Sequence, residues 1–338
     1  METSKLLTQS TDRNITIDIL RGIGIIFVVL GHLNPGIYFT RFIYSFHMFL
    51  FFFISGTLYK KRNFDTFGCF SLKRTLRLLV PYFVWNILGI LIDCVFISKS
   101  FNASNILKQV FFVGGGISWN SPIWFLLVLF EIEIIAFFTN RKIWSTIICL
   151  VVSVVLFIVL SVSSIILPLG FHLIPIGMLF FCLGQIFHSF VESIDIKIWQ
   201  KLVIICLSLT INILLGTVFN ETISVYHVIY FNYPFALIAG FFGIIAWYYL
   251  SSLISELCSA SKIISMYGRH TLMIICTHYF VLMLLMFVSK RVADVDLWHD
   301  YSFIKGFVVG STILICYYPI FLLYDWMIKK CNWIKYLL

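Results

Sequence analysis

The chain has 338 residues, of which 61% are hydrophobic, 18% aromatic and only 12% charged, and its formal net charge is +9. Soluble domains carry about 25% charged residues, so this composition excludes a soluble enzyme, and residues 1–338 read as a single integral-membrane domain. The basic surplus does not mark a nucleic-acid partner, because Lys and Arg cluster in short loops beside apolar runs, the pattern that orients helices among membrane lipids.

The apolar runs are around 20 residues long and show no strand alternation. The expected fold is therefore an all-α polytopic membrane bundle of about ten transmembrane helices. The expected spans are 15–33, 42–59, 76–97, 121–138, 143–165, 169–188, 201–219, 229–250, 271–288 and 303–328. With ten spans, six basic segments fall on one side. They include Lys5 and Arg13, Lys60 to Arg62, Arg141 and Lys335. The positive-inside rule then places both termini in the cytoplasm. The N-terminus is polar and has no cleavable leader pattern. The nine cysteines show no metal-like spacing, so no disulfide framework and no metal site are expected.

The first span, 15–33, carries Asp18, Arg21 and His32. An ionisable group at membrane depth costs roughly 2.5–3.5 kcal/mol or more, which makes it a functional candidate. Arg21 and His32 are eleven residues apart, three helical turns plus about 20°, so they share one face about 16 Å apart along the axis. Asp18 lies three residues before Arg21 on the same side and can pair with it. Imidazole titrates near neutrality, so His32 suits a general base. Gly22 and Gly24 suit close helix packing.

The second span begins near the outer surface, where Arg41 and His47 reach the depth of His32. The aromatic run from Phe46 to Phe53 reads mainly as packing. At the inner start of the third span, Lys73, Arg74 and Arg77 precede Pro81-Tyr82. Arg74 and Arg77 share a helix face, and paired guanidiniums suit phosphate oxygens, although a basic cytoplasmic flank would look the same. The stretch Ser121-Pro-Ile-Trp124-Phe-Leu leads into a span with Glu131 and Glu133. Trp124 suits an interface anchor, and Glu131 is the candidate counter-ion for a buried Arg. Arg269 and His270 read as flanking residues, while His278 sits within the ninth span. His172 and His188 read as structural.

This ordered set resembles the acyltransferase-3 family of integral-membrane acyltransferases, particularly its sugar O-acetylases. Asp18-Ile-Leu-Arg21-Gly-Ile-Gly ending in Gly31-His32 is similar to the family's leading signature of an Arg and a His separated by ten residues. Phe46 to Gly56, Arg74-Thr-Leu-Arg77 with Pro81-Tyr82, Ile123-Trp-Phe-Leu126, and Tyr267-Gly-Arg-His-Thr-Leu followed by His278 resemble its later motifs. One departure is Phe49, where the family usually has proline, which should remove a kink beside His47. The resemblance implies a multi-pass enzyme of the bacterial plasma membrane, in the cell envelope. It would move acetyl from cytoplasmic acetyl-CoA to a hydroxyl of a cell-surface polysaccharide or lipid-linked oligosaccharide. His32, Arg21 and Asp18 would form the catalytic group, and Arg74, Arg77 and Lys73 would meet the CoA phosphates. His47, Arg41, Trp124, Glu131 and His278 would surround the substrates. The rival readings are a transporter or flippase for a glycan subunit or small solute, and an assembly protein of a polysaccharide machine. Against the transporter, no matched pair of broken helices is visible. The assembly role leaves Arg21, His32 and His278 unexplained.

Overall fold

The structure is a computed structural model and describes residues 14–33, 35–59, 66–97, 101–112, 120–140, 142–163, 165–190, 194, 196–257, 261–294 and 303–331. Lys5, Arg13, Lys60, Lys61, Arg62, Arg141 and Lys335 lie outside the described residues. In chain order the helices are α1 Ile15–Gly31, α2 Ile37–Tyr44, α3 His47–Thr57, α4 Phe67–Arg74, α5 Val80–Ile92, α6 Ala103–Phe111 and α7 Trp124–Thr139. They continue as α8 Ile143–Ser163, α9 Ile174–Phe190, α10 Ile198–Ile213, α11 Tyr233–Leu257, α12 Ser261–Arg269, α13 Thr271–Ala293 and α14 Phe303–Lys330. Among the described residues, pairing of the β type is confined to one isolated bridge between Ser224 and Ile229.

Nine helical stretches among the described residues have at least 18 residues and the hydropathy to cross a membrane. With 17 residues, α1 falls just short of that length; at 1.5 Å per residue it rises about 25 Å, still within the spanning range. The all-helical membrane bundle therefore matches the expectation, with several shifted boundaries. The second span starts at Ile37 and the third at Phe67. Thr66 caps the third by accepting a hydrogen bond from the Cys69 amide at 3.3 Å, so Lys73 and Arg74 are helical rather than loop residues. The chain does break at Pro168. A 3-10 turn Pro168–Leu173, with Leu169 at φ 57° and Gly170 at φ 83°, separates α8 from α9.

The second span is interrupted despite Phe49. Its break falls between α2 and α3, at Ser45 and Phe46. The His47 ring takes the Ile43 carbonyl at 2.8 Å through Nδ1, the acceptor that a continuous helix would give to the His47 amide. Ser45 Oγ donates to the Phe42 carbonyl at 2.7 Å and accepts from Asn212 Nδ2 at 2.9 Å. Side chains thus make the bend that a proline would otherwise make. Phe49 is core filler, stacked on Phe180 with centroids 4.3 Å apart.

At the centre of the bundle, α1 packs against α3, α11, α12, α13 and α14. Its approach to α12 needs glycine on both sides. A Cβ on Gly268 would overlap the Asp18 carbonyl, and one on Gly22 would overlap the Ile264 carbonyl. Small residues at such crossings let backbones touch, which compensates for the absence of a hydrophobic driving force between helices in lipid. By contrast, α8 is peripheral: Trp144, Ile148, Val151 and Val155 are exposed, as lipid-facing residues should be.

Candidate active site

Two cavities lie end to end beside α1. The first, of 320 Å³, is basic. Arg21 from α1, Arg74 at the end of α4, Arg77 just beyond it and Arg269 at the end of α12 line it, with one carboxylate, Glu133 of α7. Arg74 Nε pairs with Glu133 Oε2 at 2.7 Å, so among the described residues four guanidiniums and one carboxylate leave the cavity cationic.

Proline shapes this cationic wall. The segment Thr75–Leu79 between α4 and α5 is a π turn, in which the Val80 amide donates to the Thr75 carbonyl, five residues back. Pro81 has no amide to donate to Arg77, four residues earlier, so the ladder slips by one residue. Arg74 and Arg77, on either side of the start of this turn, both line the cavity.

The second cavity, of 390 Å³, contains His32, His47, Tyr44, Ser121, Trp124 and Tyr279, and among the described residues its lining includes no Asp, Glu, Lys or Arg. His32 Nδ1 hydrogen-bonds the Tyr279 hydroxyl at 3.1 Å, and that hydroxyl also meets Ser121. His278 lies alongside, its ring centroid 5.3 Å from that of His32. The Nδ1 of His278 donates to the Ile274 carbonyl at 2.7 Å, just as that of His47 donates to Ile43. A neutral imidazole that donates through Nδ1 presents a lone pair at Nε2. For His278 that Nε2 is buried and has no hydrogen-bond partner among the described residues. Asn120 Nδ2 donates to the Cys276 carbonyl at 3.0 Å and so fixes the turn bearing Ser121 against α13.

Phe51, Phe125 and Ile275 line both cavities. The Phe51 and Phe125 rings meet edge to face at 5.9 Å and form the waist between the two. Arg21 stands on one side of this waist and His32 on the other, one above the other on the same helix.

The structure thus brings together most of the residues singled out in the sequence. Arg21, Arg74 and Arg77 share the basic cavity; His32, His47 and Trp124 share the histidine cavity, with His278 beside His32. Four others line neither cavity, and helix geometry explains three of them. Lys73, one residue and 100° round the helix from Arg74, is exposed. Arg41 is likewise turned from Thr40 and Tyr44, which do line the histidine cavity. Glu131 is two residues from Glu133 and faces another way; its Oε2 is buried without a partner among the described residues, and the pairing with Arg74 belongs to Glu133. Asp18, buried to 4% exposure, lies where α12 crosses α1.

Sequence reasoning misses Arg269, Tyr279 and the segment 220–232. Arg269 reads as a flank because α12, an amphipathic helix folded against α1, is too short and too polar to stand out as a span. Its signal is the amphipathic run 261–269 ending in Gly-Arg. Tyr279 follows His278 directly, and that adjacency is its only signal.

The fold and the two cavities define an integral-membrane helix bundle with a cationic chamber joined to a histidine chamber. The chain matches the family model of the acyltransferase domain over residues 14–323 and belongs to the acyltransferase-3 family. It is a multi-pass membrane acyltransferase. A comparison with curated proteins and one with solved structures returned no match.

Proposed function

We propose that the protein transfers an acetyl group from cytoplasmic acetyl-CoA to a hydroxyl of an extracytoplasmic glycan or lipid-linked sugar, in the bacterial plasma membrane. The observation that carries this reading is the pair of cavities meeting at Phe51, Phe125 and Ile275, with Arg21 in one and His32 in the other. The positive-inside charge pattern supports placing the basic cavity toward the cytoplasm. CoA is polyanionic, and four arginines against one glutamate suit its phosphates. The separation of about 16 Å between Arg21 and His32 along α1 is on the scale of the pantetheine arm. The phosphates would then stay with the arginines while the thioester passes the waist.

In the tautomer that donates Nδ1–H to the Tyr279 oxygen, His32 presents Nε2 as a base. His32 takes the proton of the acceptor hydroxyl as that oxygen attacks the thioester carbonyl. The carbon–sulfur bond breaks, and the leaving thiolate takes a proton from the His32 imidazolium. Tyr279 positions the ring, and the apolar waist keeps water from the thioester.

The test is transfer of labelled acetyl from acetyl-CoA to a glycan by the purified protein in lipid nanodiscs. His32→Ala should lower the transfer rate by about 10²–10⁴-fold, the usual contribution of a general base. Its thermal unfolding and CoA affinity should stay near those of the parent. A folded His32→Ala protein with full activity would exclude the mechanism.

A further inference from the structure

Part of the lining of the histidine cavity comes from outside the transmembrane helices. The connection between α10 and α11 contributes Thr222, Ile223, Val225, Tyr226 and His227. This connection is built as a rigid hairpin. Ser224 and Ile229 exchange backbone hydrogen bonds at 2.7 and 2.9 Å, and the His227 amide donates to Ser224 Oγ at 3.3 Å. Asn220 closes the base: its Oδ1 accepts from the Asn232 amide at 3.2 Å and its Nδ2 donates to the Asn232 carbonyl at 3.3 Å. Ile223 and Val225 plug the hairpin into the core at 0% and 3% exposure, and the Tyr230 ring sits 4.9 Å from Phe157.

Two features point to a ligand. The first is strain. Val228 closes the turn at φ 58°, a conformation that is a true outlier for a β-branched residue and costs on the order of 1–3 kcal/mol. Such strain persists where surrounding structure enforces it, and it concentrates at binding and active sites. The second is the surface that this turn presents. Tyr226 lies 6.2 Å from Trp124 with the ring planes 33° apart, and both rings line the cavity. The His227 ring stands 4.7 Å from Tyr226, nearly edge-on. Two tilted aromatic faces flanked by a hydroxyl (Thr222) and an imidazole (His227) match the apolar face and the hydroxyl rim of a sugar ring. The partial negative charge of an aromatic face attracts the C–H groups of such a ring. Among the described residues the lining holds imidazoles and hydroxyls but no Asp, Glu, Lys or Arg, so a carboxylate or ammonium on that sugar would be desolvated with no permanent opposite charge to compensate it.

From this we infer that the hairpin 220–232 is the acceptor-recognition element, and that the unit it holds against Trp124 and Tyr226 is a neutral sugar rather than a uronic acid or an amino sugar with a free amine. The inference rests on the proposed acetyl transfer to a glycan and adds the residues and the sugar class that govern it. Thr222 and His227 bond the sugar hydroxyls on the hairpin side, which turns the opposite hydroxyl toward His32.

The experiment measures acetyl transfer in nanodiscs to simple glycosides: a neutral hexoside, the matching uronide and the matching aminohexoside. The hexoside should have a kcat/KM at least about tenfold above both, the factor that follows from one uncompensated buried polar group. Tyr226→Leu should raise the acceptor KM about tenfold, with the dissociation constant of CoA unchanged. Tyr226→Phe should restore the parent KM, since it keeps the ring and loses only the hydroxyl. Thr222→Val provides a variant of near-equal volume and should also raise the acceptor KM rather than lower kcat. Equal use of the uronide, or an acceptor KM unmoved in both Tyr226→Leu and Thr222→Val, overturns the recognition role while leaving acetyl transfer intact. Failure of every glycoside to accept acetyl from a protein that binds CoA overturns the transfer reading itself, and the hairpin assignment with it.

Discussion

Among the described residues, Glu133 is the one acid lining the cavity that holds four arginines. Its Oε2 holds Arg74 Nε at 2.7 Å, and its side chain is only 7% exposed. Removing one partner of a buried pair leaves the other charge uncompensated, at a cost of about 3–5 kcal/mol. Glu133→Gln should therefore lower the thermal stability of the protein. It should also raise the net charge of the cavity. A polyanion bound there would supply the missing compensation, so CoA should stabilise the Glu133→Gln variant more than it stabilises the parent, by linkage to folding. The measurement is the CoA-induced shift in unfolding temperature of each protein. An equal or smaller shift in the variant would mean that CoA phosphates do not meet Arg74.

Among the elements, the π turn Thr75–Leu79 has the clearest functional consequence. It exists because Pro81 withholds a hydrogen bond from Arg77, and it sets the angle between Arg74 on α4 and Arg77 beyond it. Pro81→Ala supplies the missing amide. The expected result is relaxation toward regular α-helix, which re-phases α4, and Arg74 with it, against α5 and moves Arg74 from its place against Glu133. CoA affinity should fall severalfold while the helix itself is no less stable, since Ala is the better helix former. Titration calorimetry with CoA checks this, and an unchanged affinity would make the π turn incidental to binding. The broken second span follows similar logic with different chemistry: His47 and Ser45 redirect backbone acceptors, and the bend places His47 in the same cavity as His32. The sequence carried the His47 signal but not the bend, because the bend depends on Asn212 of α10 reaching Ser45 from 167 residues away.

Over the whole molecule, the two cavities acquire sides only through orientation. The orientation proposed from the positive-inside pattern, with both termini cytoplasmic, puts the connection between α9 and α10 inside and the hairpin between α10 and α11 outside. In a background with its nine cysteines replaced, Glu221→Cys should react with a membrane-impermeant maleimide in intact cells. Ile194→Cys should react only after permeabilisation. Both residues are exposed, so access depends on sidedness alone, and the reverse pattern would invert the direction of transfer.

The amino-acid sequence alone determined the membrane bundle, nearly all the spans and the alignment of Arg21 with His32. These are local properties: hydropathy is summed over some twenty neighbours, and the helical repeat converts a spacing of eleven residues into a shared face. It also singled out Arg74 and Arg77 as neighbours on one helix. The tertiary structure decided which of these residues meet across the chain. Gly22 and Gly268 let α12 lie directly on α1, and that crossing carries Arg269 into the basic cavity. The two-residue offset between Glu131 and Glu133 became decisive only once α7 faced α4. The hairpin 220–232 has neither length nor periodicity to announce it, and it became part of the site because Ile223 and Val225 anchor it in a core assembled from distant helices.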